Sequence, residues 1–434
     1  MKLSNKTFYL RHDFELKKYI QNRDSLHIIN SQSRNKILDH SDNIIYLDLN
    51  DENNLENLKT NVRYDRIILT DVVENHQNLY SLLIEVQKLL KNDGKLILSS
   101  LNTKYFFIAK IFEKIKLKDS YETSSYINFK KVNRISGGAG LEYQKYYTKQ
   151  IFPFRLMYFG NFLNKILETL LFRFNLGIKS YMIFRPISEE KMPQSKSIIV
   201  PAKNEEGNLE ELISRIPNFE NTEIIFSYGK SHDDTLNVMK KIMTSNKNFT
   251  FKLVKQTKTG KANAVWEALN IVENDLIAIL DADISVEPEL MTDFFEIIEN
   301  NRSDFVNGTR LIYDMEKNSM RFLNKLGNRF FQFFISRIIN ESLTDSLCGT
   351  KVFKKANLKD LYFWQKHTKL KDPFGDFDLL FSAAFMGQKI VELPVNYKER
   401  KYGQTQISRF RDGFKLLKYL LSSFIVFNTS RNDS

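Results

Sequence analysis

The sequence has little of what would mark a secreted or membrane-spanning protein. It contains a single cysteine, Cys348, so an intramolecular disulfide cannot form, which fits a reducing compartment such as the cytosol. Residues 1–20 are interrupted by charged side chains and do not resemble a signal peptide. The most apolar stretches, residues 152–174 and 410–427, carry charges that a membrane-spanning helix would rarely tolerate. We therefore expect a cytoplasmic protein without a membrane span.

What the sequence does contain is enough for two globular domains. Its 434 residues, 42% of them hydrophobic, exceed what one ordinary core accommodates. A formal net charge of +12 suggests an anionic partner such as a nucleotide, a phospholipid surface or nucleic acid, although lysine-rich composition alone would also produce it. Because no nucleic-acid-binding module accompanies the charge, we do not expect nucleic acid to be the partner.

Two blocks of alternating strands and helices lie on either side of a polar stretch, residues 185–196, which contains two prolines. The stretch predicts one domain over residues 1–190 and a second over 191–434. Strands are predicted at 26–30, 43–49, 66–73 and 95–101, and then at 197–200, 223–227, 251–256 and 276–280. Since helical patterns separate them, the fold class is predicted to be α/β with a parallel sheet in each block.

Polar segments follow three strands of the second block at their carboxyl ends. They read PAKNEE (201–206), YGKSHDD (228–234) and DAD (281–283). In an open parallel sheet the carboxyl ends of the strands form the edge where ligands bind. The three segments therefore predict a ligand site along this edge.

The pair Asp281 and Asp283 has two explanations when taken alone. The aspartates can cap a helix or turn, or they can provide hard oxygen ligands for Mg²⁺ or Mn²⁺. A divalent metal at this position would offset the negative charge that develops on a departing diphosphate.

Seven segments of the second block resemble, in order, the motifs of family 2 glycosyltransferases of GT-A fold. The resemblance runs from about Ser197 to Leu421 and rests on IIVPAKNEEGNLEEL, TGKANAVWEAL, AILDADISVEPEL, VNGTR, DSLCGTKVF, FGDFDLL and IVELPVNYKERKYGQTQISRFRDGFKLL. It implies an enzyme that moves a sugar, with inversion, from a nucleoside-diphosphate sugar to a cell-envelope glycan or polyprenyl phosphate. The first block would then be a second Rossmann-like domain.

The resemblance also implies roles for individual residues of the donor site. A nucleoside pocket would be lined by Pro201, Ala202, Asn204 and Glu205. Asp281 would contact ribose and metal, and Asp283 would bind metal. Lys261 would approach the base or a phosphate, unless it is only the solvated start of a helix. The family usually has an acidic residue near Tyr228 to read the base, so the identity of the base is left open.

Asp376 stands where many family members have a catalytic carboxylate. Transfer to an alcohol requires a base for the hydroxyl proton, whereas a phosphate acceptor requires none. Asp376 could alternatively cap the helix that follows, with Asp378 as the second candidate for the base. A basic loop follows near the end of the chain, with Arg400 and Arg409 and also Lys398, Lys401 and Arg411. This loop could close over a diphosphate through charge-assisted hydrogen bonds, or it could simply be solvated.

The first block contains YDRIILTDVVENHQNLYSLLIEVQKLLKNDGKLILSSLN (64–102), which resembles the later half of a class I S-adenosylmethionine-dependent methyltransferase, with residues 179–187 as its closing strand. Such a domain needs glycines after its first strand for close approach of the cofactor, yet no glycine precedes Gly94. We expect a structural or inactive methyltransferase-like domain that does not use S-adenosylmethionine. A bifunctional enzyme and a non-catalytic nucleotide-binding scaffold are the alternatives.

Two helical patterns raise the question of membrane contact. Along residues 410–427 an apolar stripe contains Phe410, Phe414, Leu417, Leu421 and Phe424, and residues 322–339 form a second aromatic-rich helix. Such stripes either pack on a core or lie in a membrane interface. We expect peripheral association with the inner face of the cell membrane.

Overall fold

The computed structural model describes residues 5–20, 23–29, 44–48, 62–70, 72–73, 79–105, 128–151, 159–171, 174–187, 194–312, 322–368, 370, 372–398, 402 and 409–428. These residues fall into two compact units, one within Met1–Ser188 and the other within Glu189–Thr429. Each unit is built around its own sheet.

The sheet of the first unit has six strands in the order β2-β1-β3-β4-β6-β5. Its strands are β1 (Ser25–Ile29), β2 (Ile44–Asp48), β3 (Tyr64–Thr70), β4 (Leu90–Leu101), β5 (Leu141–Lys149) and β6 (Lys179–Pro186). Its helices are α1 (Asn5–Ile20), α2 (Leu79–Lys88), α3 (Phe129–Gly138) and α4 (Phe159–Leu170). The strands β1 to β4 pair in parallel, whereas β6 is antiparallel to both β4 and β5.

Alternation of side chains along the first sheet gives it two apolar faces. Leu26 and Leu69 lie on the face that packs against α2 and α3, and Ile68 and Ile97 lie on the opposite face with Leu16 of α1. Burial of both faces explains why these strands are apolar almost throughout.

The second unit has a seven-stranded sheet in the order β13-β11-β12-β10-β7-β8-β9. Its strands are β7 (Lys196–Ala202), β8 (Thr222–Tyr228), β9 (Thr250–Lys255), β10 (Leu276–Ile279), β11 (Phe305–Thr309), β12 (Lys351–Lys354) and β13 (Ile390–Pro394). Its helices are α5 (Glu206–Arg215), α6 (Thr235–Ser245), α7 (Lys261–Leu269), α8 (Met291–Glu299), α9 (Phe322–Ile339), α10 (Leu358–Thr368), α11 (Asp376–Phe385) and α12 (Arg409–Asn428).

The eight strands predicted from sequence all occur, but neither sheet is purely parallel. In the second unit β12 runs antiparallel to β10 and β11, as β6 does in the first. The eight predicted strands pair in parallel within their sheets, as expected, and the antiparallel strands β6 and β12 make the fold mixed α/β. The strand β9 lies at the edge of the sheet and is only half-buried. None of the helices in the described part of the chain is long and apolar enough to cross a membrane.

Candidate functional site

The carboxyl ends of β10, β7 and β8 lie side by side. Ile279 pairs with Ile199, and Ala202 pairs with Tyr228. Pro201 and Ala202 end β7, and Asp281 follows β10 by two residues. The three polar segments that were predicted to meet at one edge of the sheet thus follow adjacent parallel strands.

The loops that leave β7 and β8 are bonded to each other. The Asn204 backbone N–H donates to Ser231 Oγ (3.0 Å), and Asn204 Oδ1 accepts from the backbone N–H of His232 (2.7 Å). The backbone N–H of Glu205 donates to Thr235 Oγ1 (2.9 Å). Asn204 also has a positive φ of 57°, which asparagine adopts more readily than most residues. These contacts place Asn204 and Glu205 beside the sheet edge; their role in nucleoside binding stays a prediction.

Asp233 joins the same two loops. One of its carboxylate oxygens accepts from the backbone N–H of Glu206 (3.2 Å), and the other accepts from the backbone N–H of Thr235 (3.2 Å). Tyr402 donates its hydroxyl to Asp233 (3.4 Å). Asp233 therefore joins the first residue of α6 to the first residue of α5.

Lys261 and Asp281 form a close ion pair in the middle of the edge. Lys261 Nζ lies 2.6 Å from Asp281 Oδ1 and 2.9 Å from Oδ2, and the two side chains retain 27% and 30% exposure. Burial would lower the pKa of Lys261, but attraction by Asp281, Asp376 and Asp283 raises it above its usual value. Two of the predicted donor-site residues are thus in contact, and two further carboxylates act on the same ammonium group.

The backbone around this pair departs from ordinary local preferences. Lys261 is the first residue of α7, where the helix dipole disfavours a positive charge, and Gly260 before it has a φ of 109°. Ile284, directly after the aspartate pair, has a φ of 54°, which is rare for a β-branched side chain. Such local costs are typical of functional sites, where surrounding contacts hold the chain in place.

Asp283 is more enclosed than Asp281. It is 6% exposed, and its Oδ1 accepts from both the backbone N–H (3.0 Å) and the hydroxyl (2.6 Å) of Ser285. The carboxylate therefore does cap a turn, as one of the two sequence interpretations held. Its position two residues from Asp281 leaves the metal interpretation open as well.

The two aspartates suit only a cation that takes most of its ligands from elsewhere. Among the described residues, no group of three or more histidine, cysteine or acidic side chains is placed to hold a metal ion. Mg²⁺ in protein sites is often bound by one or two carboxylates, with the remaining ligands supplied by water and phosphate. The residues present fit such a cation, with Asp281 as the more exposed ligand.

Asp376 lies at the start of α11 in an ion pair with Lys351. Lys351 Nζ is 2.8 Å from Asp376 Oδ1, and the Lys351 side chain has no exposed surface. The helix is capped instead by Asp372, whose Oδ2 accepts from the backbone N–H groups of Phe377 (2.6 Å) and Asp378 (3.1 Å). The structure thus assigns the predicted capping role to a different aspartate.

Asp378, the second candidate for the base, belongs to a buried network behind the helix. Tyr419 of α12 donates to its Oδ1, Gln365 of α10 donates to its Oδ2 (3.2 Å), and Trp364 donates to the Tyr419 hydroxyl (2.8 Å). Burial, followed by repulsion from Asp372, raises the pKa of Asp378. These contacts give Asp378 a structural role, which favours Asp376 over it as a base.

Two residues at the site, Lys351 and Gly349, were not predicted from the sequence. A Cβ atom at position 349 would lie 2.1 Å from Asp281 Oδ2 and 2.4 Å from Lys261 Nζ, so the backbone of Gly349 lies directly against the ion pair. Both residues belong to the DSLCGTKVF segment, but only a known fold brings that segment next to Asp281 and Asp376.

A second buried ion pair supports this segment. Arg310 donates from Nε (2.7 Å) and Nη2 (2.9 Å) to the two oxygens of Asp345, and Asn328 of α9 donates to Asp345 Oδ1 (2.7 Å). Burial would raise the pKa of Asp345, but Arg310 holds it well below its usual range. Cys348 is fully buried and its thiol pKa is raised to about 11, mainly by burial, which fits a packing residue.

The basic loop is only partly described. Arg400 and Lys401 lie outside the described residues, as does the side chain of Arg409. Lys398 pairs with Glu287 (2.5 Å), and Tyr402 lies against Gly207, where an added Cβ would approach its ring to 2.8 Å. The interaction of the arginines with a diphosphate stays a prediction.

The family model described as Glycosyl transferase family 2 matches residues 197–362. The dolichol-phosphate mannosyltransferase of Pyrococcus furiosus is 27% identical over 233 residues, which are 52% of this chain and 61% of that protein. The dolichyl-phosphate hexose transferase of Haloferax volcanii is 26% identical over 170 residues, 39% of this chain and 70% of that protein. The matched region thus spans less than two thirds of the Pyrococcus relative.

Among solved structures, glucosyl-3-phosphoglycerate synthase from Mycobacterium tuberculosis, in complex with Mn²⁺, uridine diphosphate and glucosyl-3-phosphoglycerate, is similar with a TM-score of 0.39 and 17% identity. The similarity covers 53% of this chain and 80% of that one. The family match includes Lys261, Asp281 and Asp283 at the sheet edge, and it ends before Asp376. Residues 197–362 of the C-terminal unit therefore match the family 2 glycosyltransferases.

Proposed function

We propose that the protein transfers a sugar, with inversion, from a nucleoside-diphosphate sugar to a polyprenyl phosphate or a cell-envelope glycan. The observation that carries the proposal is the cluster of Asp281, Asp283 and Asp376 around Lys261 at the carboxyl edge of parallel strands. A parallel-sheet edge of this kind is where nucleotides bind in α/β proteins. A GT-A arrangement of residues 191–434 is part of the proposal.

The donor would lie along the ends of β7, β8 and β10. In that position Pro201, Ala202, Asn204 and Glu205 would face the nucleoside. Arg400 and Arg409 would approach the diphosphate from the basic loop. Tyr228, whose hydroxyl accepts from the backbone N–H of Ser231 (3.2 Å), stands where an acidic residue would read the base, so the base is left open.

The proposed cofactor is Mg²⁺ or Mn²⁺. Asp281 and Asp283 would hold it, together with oxygens of the donor diphosphate and water. When bound, it would offset the charge that develops on the departing diphosphate.

The role of Asp376 depends on the acceptor. If the acceptor is an alcohol, Asp376 would take the hydroxyl proton as the new glycosidic bond forms. If the acceptor is a phosphate, the attacking oxygen already carries negative charge, and Asp376 would serve only to balance Lys351 and Lys261. The names of several relatives, which include dolichol-phosphate mannosyltransferase and undecaprenyl-phosphate 4-deoxy-4-formamido-L-arabinose transferase, favour a polyprenyl phosphate.

A lipid-linked acceptor would agree with exposed apolar side chains on two contacting helices, α9 and α12. We call them the apolar face; they are Leu326, Phe330 and Phe333 on α9, and Phe414, Leu421 and Ile425 on α12, each between 43% and 58% exposed. The predicted stripe is divided, because Leu417 and Phe424 pack against the core instead. Arg337 and Lys418 lie over the rings of Phe333 and Phe414 and bring positive charge to the same region, as interfacial helices do.

Flotation with anionic liposomes tests the proposed membrane contact. Leu421→Ser should reduce the floated fraction at low salt, whereas Ile271→Ser, at an isoleucine that is 37% exposed after the end of α7, should not. Wild-type protein that stays wholly at the bottom of the gradient would exclude peripheral membrane binding.

For residues 1–190 we propose a methyltransferase-like fold with a structural role. The segment predicted as its closing strand forms β6, inserted antiparallel between β4 and β5. Asp48, an aspartate at the end of β2 that could hold the ribose of S-adenosylmethionine, has a side chain that lies outside the described residues. Calorimetric titration of the full chain with S-adenosylmethionine should give no binding heat; saturable binding would favour the bifunctional enzyme.

A screen of nucleotide sugars tests the glycosyltransferase proposal. The full chain should release a nucleoside diphosphate from one donor among UDP-, GDP- and CDP-sugars, in the presence of Mg²⁺ or Mn²⁺ and a short polyprenyl phosphate. If calorimetric titration with UDP, GDP and CDP gives no binding heat, with or without metal, the non-catalytic scaffold is favoured.

A further inference from the structure

Lys261 holds the carboxylate that the proposed metal needs. Its Nζ lies within 2.6 and 2.9 Å of the two oxygens of Asp281, so both oxygens already face one ammonium group. A carboxylate in that arrangement has little attraction left for a second cation, because the ammonium charge cancels its own at short range. A metal ion and Lys261 would therefore compete for Asp281.

We propose that Lys261 is an exchangeable counter-ion, which neutralises Asp281 before the donor binds and leaves it for a donor phosphate when the divalent cation binds. The inference rests on the proposed nucleotide-sugar function. It assigns Lys261 two successive partners, and it makes metal binding and diphosphate binding dependent on each other. No covalent bond changes in the exchange.

The charges around Lys261 favour such an exchange. Three carboxylates, those of Asp281, Asp376 and Asp283, attract its ammonium group, while Lys351 is paired with Asp376. Three carboxylates thus act on Lys261, and Lys351 is the other lysine that the described contacts place in this group. A diphosphate would meet repulsion there unless a cation were added and a lysine were turned toward it.

Gly349 allows the short distance between Lys261 and Asp281 in the absence of donor. Because a Cβ atom at this position would overlap both partners, a glycine is required for Lys261 to reach Asp281 in the observed arrangement. The backbone at Gly349 closes one side of the pair, so the direction left to Lys261 when it moves is away from this segment. The short contact is thus a property of the fold, and it does not depend on the lysine alone.

Titration of free Mn²⁺ by electron paramagnetic resonance, with the full chain and no donor, tests the exchange. Lys261→Met should bind Mn²⁺ at least about tenfold more tightly than the wild type, because the competing charge is gone. Lys258→Met removes a nearby exposed lysine that is not bonded to Asp281 and should leave the affinity within about twofold. Thermal unfolding of the variants should show that each is folded.

A second titration adds inorganic pyrophosphate, which has the diphosphate of the donor but no nucleobase. It should tighten Mn²⁺ binding to the wild type, and this gain should be at least about fivefold smaller in Lys261→Met, because the lysine that would turn to the diphosphate is missing. If Mn²⁺ binds the wild type but binds Lys261→Met equally or more weakly, the exchange is overturned and the metal site stands. If neither protein binds Mn²⁺, with or without pyrophosphate, both the exchange and the proposed metal fail.

Discussion

Lys351 and Asp376 form an ion pair that is almost wholly removed from solvent. Lys351 Nζ lies 2.8 Å from Asp376 Oδ1, and the two side chains are 0% and 9% exposed. Lys351 begins a strand in the middle of the sheet and Asp376 begins a helix, so the pair joins β12 to α11. An ion pair with so little exposure is stable only while both partners are present.

Substitution of Asp376 should distinguish the two kinds of acceptor. With an alcohol acceptor, Asp376→Asn should lower kcat by about 10²- to 10⁴-fold, the usual contribution of a general base. With a phosphate acceptor it should stay near the wild-type rate. Asp372→Ala removes the helix cap at a cost of about 0.5–2 kcal/mol in stability but leaves the Asp376 carboxylate in place, so it measures how far a destabilised helix alone lowers the rate. An alcohol-acceptor rate that Asp376→Asn leaves unchanged would exclude base catalysis by this residue.

Gly349→Ala should disable the donor site without changing its charge. The new Cβ would overlap Lys261 Nζ and Asp281 Oδ2, so both side-chain ends must leave their observed positions, and we expect kcat/KM for the donor to fall at least about tenfold. Gly327→Ala is the control, because its Cβ would meet no atom within 4 Å. Equal activity of both variants would show that the contact at Gly349 is not needed.

Loss of the Arg310–Asp345 pair should destabilise the C-terminal unit. Arg310→Met leaves a buried carboxylate without its main counter-charge, which costs about 3–5 kcal/mol. Lys241→Met breaks an exposed pair with Glu210, whose side chains are 72% and 62% exposed, and should cost less than about 1 kcal/mol. Urea unfolding followed by tryptophan fluorescence measures both; similar midpoints would contradict the assignment of Asp345 as a buried anchor.

Stability should fall as the pH rises toward neutrality. Burial, followed by repulsion from Asp372, raises the pKa of Asp378 to about 7, against about 3.9 for an unfolded aspartate. The folded protein therefore holds this proton more tightly, and the stabilisation is complete below about pH 4 and lost as the pH passes about 7. Asp378→Asn does not titrate, so its unfolding midpoint should change less than that of the wild type between pH 5 and 8. If the unfolding midpoints of the two proteins change equally with pH, the raised pKa of Asp378 does not contribute to stability.

Much of the proposed donor site could be predicted from the sequence because its signals are local. Apolar strands with polar segments at their ends predicted that Pro201, Asn204 and Asp281 share an edge, and the strand pairing places them there. The hydrophobic period does not show strand direction, which is why β6 and β12 were not predicted to be antiparallel.

What could not be predicted depends on contacts between distant segments. Lys351 is 25 residues from Asp376, and nothing in the local sequence shows that a buried strand begins with a lysine whose partner starts a helix. Asp372 can cap α11 because Gly375 has a left-handed backbone (φ 84°). This turn places the Asp372 carboxylate beside the first backbone N–H groups of the helix. Neither feature has a periodic or compositional signature.

The central claim is sugar transfer from a nucleotide donor at the Asp281–Asp283 edge, and it is tested most directly by transfer of a radiolabelled sugar into organic-soluble polyprenyl phosphate. Wild-type protein with its preferred donor should label the lipid only when Mg²⁺ or Mn²⁺ is present. Asp283→Ala should abolish the labelling, while Ser285→Ala, which removes only the hydroxyl bonded to that carboxylate, should retain most of it. Metal-dependent labelling that is equal in Asp283→Ala and the wild type would contradict the assignment of the metal site, and no labelled product with any donor or acceptor would contradict the proposed transfer.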